Sequence, residues 1–404
     1  KGLKSQIVRK ILEQLKPTIA TLDESLPKHV IEEENLVSRA QAILKLHFPS
    51  SQQDIEQAKE RLAFEELIHL MLASQLNKKD HAALEGWKMS FSASVIKAFV
   101  AKLPFELTSA QRIAAWDIMQ DFEKNTPMNR LLQGDVGSGK TVVAGLAAYQ
   151  AAKNGFQTAI MAPTEILATQ HAKTLQSLVE PFGVSVGLLT GKVKGKPREL
   201  LLKATIDGEV DIVVGTHALI QSTVSFYKLG FVVIDEQHRF GVAQRQALLS
   251  KSQHMPHLLS MSATPIPRSL ALTVYGELDI SILNERPKNR LPIETHVWSP
   301  NSRKQLYDNV DQQLKAGRQA YIICSLIDNN PQNELKSVEA EYKRLQIGAF
   351  KHRKIGLLHG KLTSQEKADV MTAFAAGETD ILVSTTVVEV GVDVPNATVI
   401  VIED

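Results

Sequence analysis

The stretch "LLQGDVGSGKT", Leu131 to Thr141, places three glycines before a lysine and a threonine. It places a short apolar pair before the pattern G-x-x-x-x-G-K-T, and the helical pattern "VVAGLAAYQAA" follows it. In that context, glycines let backbone N–H groups close around phosphate oxygens, a lysine reaches the β and γ phosphates, and a hydroxyl binds magnesium. A glycine-rich turn with a chance lysine is the alternative, and the flanking strand and helix argue against it. The sequence therefore predicts a phosphate loop with these members: Gly134, Gly137, Ser138, Gly139, Lys140 and Thr141.

A second stretch, "VVIDEQHRFG", ends an apolar run in a group of polar side chains. One interpretation is a buried strand that runs into a solvated turn. With a phosphate loop elsewhere in the chain, we expect Asp235 to hold magnesium and Glu236 to take the proton of an attacking water. Gln237 and His238 are not needed for that chemistry alone, and a histidine in this position is as often a structural hydrogen-bond partner as a participant in the reaction.

Composition limits the class of protein. The 404 residues are enough for two or three domains, and no apolar run approaches the roughly 18 residues that span a bilayer, so we expect no membrane contact. The single cysteine, Cys324, excludes an internal disulfide framework and predicts a buried thiol in a reducing, cytoplasmic setting. A net charge of +2 means that binding to a phosphate backbone would depend on local clusters. The chain opens with Lys1 and carries no signal-peptide pattern, so we expect it to be part of a longer protein.

Periodicity divides the chain into a helical part and two α/β parts. Residues 1–103 show apolar spacings of three and four, with Ser51 and Asp54 spaced as a helix cap. From Pro104 onward, short apolar runs alternate with helical patterns, as in buried parallel strands joined by helices. The prolines of "NERPKNRLP" predict a linker, which gives domains 1–103, 104–286 and 287–404. The expected strands are "QTAIMAP", "DIVVGTH", "FVVIDE" and "HLLSMSATP" before the linker, and "ETHVWS", "RQAYIICSL", "KIGLLHG", "DILVSTT" and "TVIVIED" after it.

Seven motifs follow one another along the chain: "GDVGSGKT", "APTEILATQH", "VGTHALIQ", "DEQHRFG", "SATPIPR", "LLHGKLTSQEK" and "STTVVEVGVDVPNA". They occur in the order found in superfamily 2 helicase motors, and in wording they resemble the bacterial RecG family of branched-DNA translocases. The resemblance covers about residues 104–404, and "LHFPSS" and "RLAFEEL" extend it more weakly toward the N-terminus. It implies two RecA-like parallel-sheet motor domains, the second truncated, behind a mostly helical segment that joins an absent DNA-wedge domain. It also implies an enzyme that uses ATP and Mg²⁺ to move on double-stranded and branched DNA.

The resemblance assigns further residues to the nucleotide. It implies that Phe105 and Gln111 recognise adenine. It implies that Gln237 and His238 link the nucleotide site to the segment that couples ATP state to DNA grip, at Ser262 and Thr264. Two residues of the second domain would face the nucleotide across the cleft: Gly391 and Asp393.

The resemblance also implies two DNA-facing turns that would contact phosphates without reading sequence. Ordinary strand-to-helix turn chemistry is the alternative for both. Of two basic clusters, we expect "KVKGKPR" to contribute to DNA binding and "KHRK" to be plain surface. The turns consist of Pro163, Thr164 and Gln170 in the first motif, and Gly215, Thr216 and His217 in the second.

Three other functions compete with a translocase. The motor of a transcription-repair coupling factor has similar motifs, and a nucleotide-gated DNA clamp would bind without moving. A small-molecule kinase has no use for a second α/β domain carrying "VEVGVDVP". The sequence stops at "VIVIED", before the arginine-rich segment with which such motors complete their ATP site, so we expect residues 1–404 alone to hydrolyse ATP on the order of a thousandfold more slowly than an extended chain.

Overall fold

A computed structural model describes residues 5–264, 278–285, 293–324, 331–385 and 394–403. Gly391, Asp393 and residues 286–292 of the expected linker lie outside these ranges. None of the described helices is both long and apolar enough to cross a membrane.

The N-terminal part is helical, as predicted. It forms α1 (Ser5–Ala20), α2 (Lys28–Glu33), α3 (Arg39–His47), α4 (Gln52–Ala82) and α5 (Ala93–Ala101). The expected cap of α4 is present, because the Ser51 hydroxyl accepts a 3.2 Å hydrogen bond from the Asp54 N–H. On the next turns of α4 the fully buried Arg61 donates to Glu65 at 2.8 Å, so this charge is neutralised inside the helical segment.

The helical segment is fixed to the sheet that follows it. The Trp87 ring packs against Phe156 with a centroid separation of 5.2 Å. The backbone carbonyl of Trp87 accepts a hydrogen bond from His257 Nε2. The backbone N–H of Met128 donates to Nδ1 of the same histidine at 2.9 Å. His257 is completely buried, and burial lowers its pKa from 6.5 to about 4. The imidazole therefore stays neutral and joins the two parts of the chain.

Among the described residues, the first sheet has seven parallel strands in the order β3-β4-β2-β5-β6-β1-β7. Alternate residues of β2 and β5 enter different apolar cores: Ile160 and Val233 lie in one, and Ala159 and Val232 in the other. Both faces are therefore covered, as is usual for parallel sheets. The elements are α6 (Ser109–Phe122), β1 (Asn129–Gly134), α7 (Lys140–Lys153), β2 (Gln157–Met161), α8 (Glu165–Val179), β3 (Val186–Leu189), α9 (Lys196–Ile206), β4 (Ile212–Gly215), β5 (Leu229–Asp235), α10 (Val242–Leu249), β6 (His257–Ser262) and β7 (Asp279–Leu283).

In the part of the chain that the structure describes, the second sheet has four parallel strands in the order β11-β8-β10-β9. Cys324 ends β8 as a buried free thiol, as predicted. The strand expected at "ETHVWS" is wrong: residues 294–299 form no strand, and the Val297 side chain is fully exposed, so nothing pairs with or covers it. The elements are α11 (Arg303–Lys315), β8 (Gln319–Cys324), α12 (Pro331–Ile347), β9 (Ile355–Leu358), α13 (Ser364–Ala375), β10 (Ile381–Ser384) and β11 (Ala397–Glu403). The fold class is the predicted one: α/β, with two parallel sheets behind a mostly helical segment.

Candidate nucleotide site and DNA-facing turns

The phosphate loop connects β1 to α7 at the carboxyl edge of the first sheet. Gly137 and Gly139 have φ angles of +75° and +90°, which ordinary side chains rarely adopt. These angles turn the chain so that α7 starts at Lys140, directly after the loop. The loop backbone and the first N–H groups of the helix therefore form the concave surface that an anion requires.

Lys140 lies across this loop. Its Nζ donates to the carbonyls of Gly134 at 2.7 Å and Asp135 at 3.1 Å. Burial lowers the pKa of the ammonium, and the carboxylates of Asp235, Glu236 and Asp135 act in the opposite direction. The lysine is thus a half-buried cation held by backbone carbonyls beside an acidic pair.

Ser138 adds an unused polar group to the loop. Its side chain is 3% exposed, and its hydroxyl has no hydrogen-bond partner among the described atoms. A buried hydroxyl without a partner is costly, so a ligand oxygen at this position would stabilise it.

Gln111 reaches the same loop from α6. Its amide Nε2 donates to the Ser138 carbonyl at 2.8 Å, and its Oε1 accepts from the Thr108 N–H at 2.9 Å. Gln111 is only 3% exposed, whereas Phe105, its expected partner at adenine, is 44% exposed. In this structure the glutamine amide ties α6 to the phosphate loop.

Asp235, at the end of β5, is held through both carboxylate oxygens. Oδ1 accepts a 3.0 Å hydrogen bond from the Glu236 N–H, and Oδ2 lies 2.7 Å from Nε2 of His171 on α8. The other ring nitrogen of His171 is 3.5 Å from Oγ1 of Thr141. The buried His171 thus lies between Asp235 and Thr141, the two side chains that the sequence predicts as magnesium ligands.

Glu236 adopts a left-handed backbone conformation with φ +48°, which costs free energy for a residue other than glycine. Burial, together with the neighbouring Asp235, raises the pKa of its carboxyl, and His238 and Lys140 oppose that shift. The Ala263 backbone N–H also donates to it. A carboxyl with a raised pKa is a better proton acceptor than an ordinary glutamate.

The segment after β6 approaches this acid pair. Ser262 pairs with Gln133 of β1, and its hydroxyl lies 2.9 Å from that of Thr264. The Ala263 N–H connects this segment to Glu236, and His238 Nδ1 lies 3.5 Å from a Glu236 oxygen.

The two expected DNA-facing turns are neighbours. β2 and β4 pair with Met161 opposite Gly215, and the Ala162 N–H donates to the Gly215 carbonyl at 2.9 Å. In the first turn, Thr164 caps α8 by accepting from the Leu167 N–H at 3.3 Å. Each turn contains solvent-accessible groups: Pro163, Thr164 and Gln170 are partly exposed and His217 is exposed, whereas Gly215 and Thr216 are buried.

Two family models match the chain. The DEAD/DEAH box helicase family matches residues 108–273, and the helicase conserved C-terminal domain matches residues 302–404. Named relatives match this chain over nearly its whole length. The ATP-dependent DNA helicase RecG of Thermotoga maritima is 44% identical over 100% of this chain, and that of Bacillus subtilis is 45% identical over 99%. The chain belongs to the RecG helicase family.

A solved structure agrees with this membership. RecG bound to a three-way DNA junction matches 99% of the chain with 42% identity and a TM-score of 0.83. The chain spans 52% and 59% of the Thermotoga and Bacillus RecG proteins and 52% of the solved RecG chain.

His171 is the residue of this RecG-family chain that the sequence interpretation missed. It ends the quoted motif "APTEILATQH", seven residues after Thr164, which places both on one face of α8 two turns apart. That spacing was the available signal, but its partner Asp235 is 64 positions away and only the fold brings the two together.

The basic clusters differ in their contacts. Lys192 and Lys194 are exposed, and Lys192 Nζ lies 3.9 Å from a Glu165 oxygen at the first turn of α8. In the second cluster, Arg353 pairs with Asp311 at 2.8 Å. The first cluster is therefore next to an expected DNA-facing turn, and Arg353 of the second is engaged in its own domain.

Proposed function

We propose that this protein is an ATP-dependent motor that acts on double-stranded and branched DNA. One observation carries the proposal: the phosphate loop and the Asp235–Glu236 pair lie at the same sheet edge as the two turns after β2 and β4, each of which has solvent-accessible groups. The similarity along the whole chain to a RecG solved on a three-way junction supports DNA as the partner.

The residues present fit a magnesium–nucleotide complex. The unpartnered hydroxyl of Ser138 and the half-buried ammonium of Lys140 are suited to phosphate oxygens. Thr141 and Asp235 would hold Mg²⁺ with the phosphates completing its oxygen shell, so the absence of a three-residue metal cluster among the described residues is expected. Bound there, Mg²⁺ would neutralise charge on the phosphates.

The remaining chemistry belongs to the chain's own side chains. Lys140 would exchange its two carbonyl contacts for β- and γ-phosphate oxygens, a charge-assisted interaction of greater strength. Glu236 would accept the proton of the attacking water, for which its raised pKa suits it. Phe105 and Gln111 would bind adenine, and the present contact of Gln111 with Ser138 would then let the loop sense an occupied base site.

Coupling to DNA would run through the segment after β6. Ser262 and Thr264 would respond to the nucleotide through the Ala263–Glu236 contact, with Gln237 and His238 alongside. Gly391 and Asp393 would act from the second domain, within the proposed division 1–103, 104–286 and 287–404.

DNA would lie along the two turns. One stretch of the DNA backbone would be contacted by the first turn, through Pro163, Thr164 and Gln170. The next stretch would be contacted by His217 in the second turn, whose shape Gly215 and Thr216 set. Such contacts with phosphates position a duplex without reading its sequence. The exposed Lys192 and Lys194 would add charge beside them. A cytoplasmic location remains a prediction.

A nucleotide-gated clamp is the second candidate, because the same site geometry would serve binding without movement. ATP turnover distinguishes the two: a motor releases phosphate continuously when DNA is added, whereas a clamp releases at most one phosphate per binding event. Steady-state phosphate release with forked DNA in excess is the experiment. Release limited to one turnover would favour the clamp.

A further inference from the structure

His171 contacts both expected magnesium ligands from a position that is 8% exposed. Its Nε2 lies 2.7 Å from Asp235 Oδ2, and its Nδ1 lies 3.5 Å from Thr141 Oγ1. The carboxylate can only accept, so the Nε2 carries the hydrogen in this contact. When Nδ1 is unprotonated, the Thr141 hydroxyl can donate to it, and the lone pairs of the threonine oxygen are then available to a cation.

The same histidine belongs to a helix with two other contacts. Thr164, at the start of α8, lies in the first DNA-facing turn, roughly 10 Å along the helix axis from His171 at 1.5 Å per residue. Ile166, in the first turn of α8, packs against the apolar cluster of the second sheet that contains Leu358 and Phe374. A movement of this helix would therefore reach Asp235 through a single hydrogen bond.

We propose that His171 is a positioning residue that orients Asp235 and Thr141 for Mg²⁺ and transmits DNA contact at the start of α8 to that metal site. The inference rests on the proposed function, since it needs a magnesium–nucleotide complex and a DNA contact. Its function is distinct from the roles of Gln237, His238, Ser262 and Thr264, because it acts from α8 instead of from the segments after β5 and β6.

The test compares three variants in the full-length protein, with a fluorescent non-hydrolysable ATP analogue as the probe. His171→Ala removes both contacts, and His171→Gln keeps an N–H donor that can reach Asp235. Thr174→Ala is the matched control, because Thr174 is exposed on the same helix. Binding is titrated against Mg²⁺, and also in EDTA, with and without forked DNA.

We expect His171→Ala to need about 10- to 100-fold more Mg²⁺ for half-maximal analogue binding, the usual effect of losing a group that orients a metal ligand. Its analogue affinity in EDTA and its DNA affinity without nucleotide should match those of Thr174→Ala. DNA should raise the Mg²⁺-dependent affinity of the wild type but not of His171→Ala, because coupling between two sites is reciprocal. His171→Gln should restore most of the Mg²⁺ response.

An unchanged Mg²⁺ titration in His171→Ala would overturn the inference, and so would full retention of the DNA effect. Equal loss of analogue affinity in EDTA would also overturn it, because that result indicates general damage to the phosphate loop. These outcomes differ from failure of the proposed function, in which the wild type itself would show no Mg²⁺-dependent binding of the analogue or no effect of DNA.

Discussion

The side-chain amide of Gln111 donates a 2.8 Å hydrogen bond to the carbonyl of Ser138, so that α6 and the phosphate loop are joined directly. A Cβ added at Gly139 would overlap Gln111 Nε2 more closely than real Cβ contacts allow. The loop shape therefore depends on a glycine at 139 for its φ of +90° and for its space.

Gly139→Ala is accordingly expected to weaken nucleotide binding by tenfold or more, because it must displace either Gln111 or the loop. Gly155→Ala is the matched control: it has a similar φ of +76° with open space around it, and should cost only about 1–2 kcal/mol of stability. Titration with a fluorescent nucleotide and thermal unfolding measure the two effects. Equal affinities in the two variants would show that the Gln111 contact does not shape the site.

Lys140→Ala and Glu236→Gln should fail in different ways. The lysine change removes the cation expected at the phosphates and should weaken Mg-ATP binding. The glutamine keeps the size of Glu236 but cannot accept a proton, so binding should be retained while turnover falls by about 10²- to 10⁴-fold. Calorimetry and steady-state hydrolysis separate the two. If both variants lose binding alike, the assigned roles are wrong.

Thr164→Asp tests the proposed DNA contact of the first turn without removing the cap of α8. Aspartate caps helices at least as well as threonine, so the fold should be kept, but its charge would repel a phosphate. We expect weaker DNA binding for Thr164→Asp and near-normal binding for Thr164→Ser, with nucleotide affinity in the absence of DNA unchanged in both. Duplexes of unrelated sequence should bind alike and lose affinity steeply as salt rises. Normal DNA affinity in Thr164→Asp would remove this turn from the interface.

His257 should make stability depend on pH in one window. The unfolded chain takes up a proton below about 6.5, whereas the buried imidazole stays neutral until about 4. Stability from this group is therefore complete above 6.5 and falls by up to about 3 kcal/mol as pH drops to 4. In NMR of ¹⁵N-labelled histidines, with His257→Gln for assignment, the His257 ring should show no protonation near pH 6. Protonation of His257 near its ordinary value would contradict this.

The sequence predicted the central strands of the first sheet better than its edges. β2, β4, β5 and β6 are apolar runs because both of their faces are covered. β3 and β7 were not predicted, and they are the two edge strands, where Ile282 is 41% exposed and the apolar pattern is interrupted. The wrong strand at "ETHVWS" had a suitable local pattern but no neighbouring strand to pair with it.

The candidate site was predictable as far as its motifs are continuous in sequence. The phosphate loop and the Asp235–Glu236 pair could be recognised from local spacing and residue chemistry. The contacts of His171 with Asp235 and of Gln111 with Ser138 could not, because they join residues 64 and 27 positions apart. Periodicity gives the face of a helix on which a residue lies, but not which side chain of another element meets it.

The rate of ATP hydrolysis with different DNAs tests the central proposal most directly. The full-length protein would be assayed with no DNA, single-stranded DNA, duplex and a forked junction, each at saturation and at one salt concentration. A motor for branched DNA predicts continuous turnover that is lowest without DNA, highest with the fork, and about 10²- to 10⁴-fold lower in Glu236→Gln. Turnover that is the same with and without every DNA, or that Glu236→Gln leaves unchanged, would contradict the account.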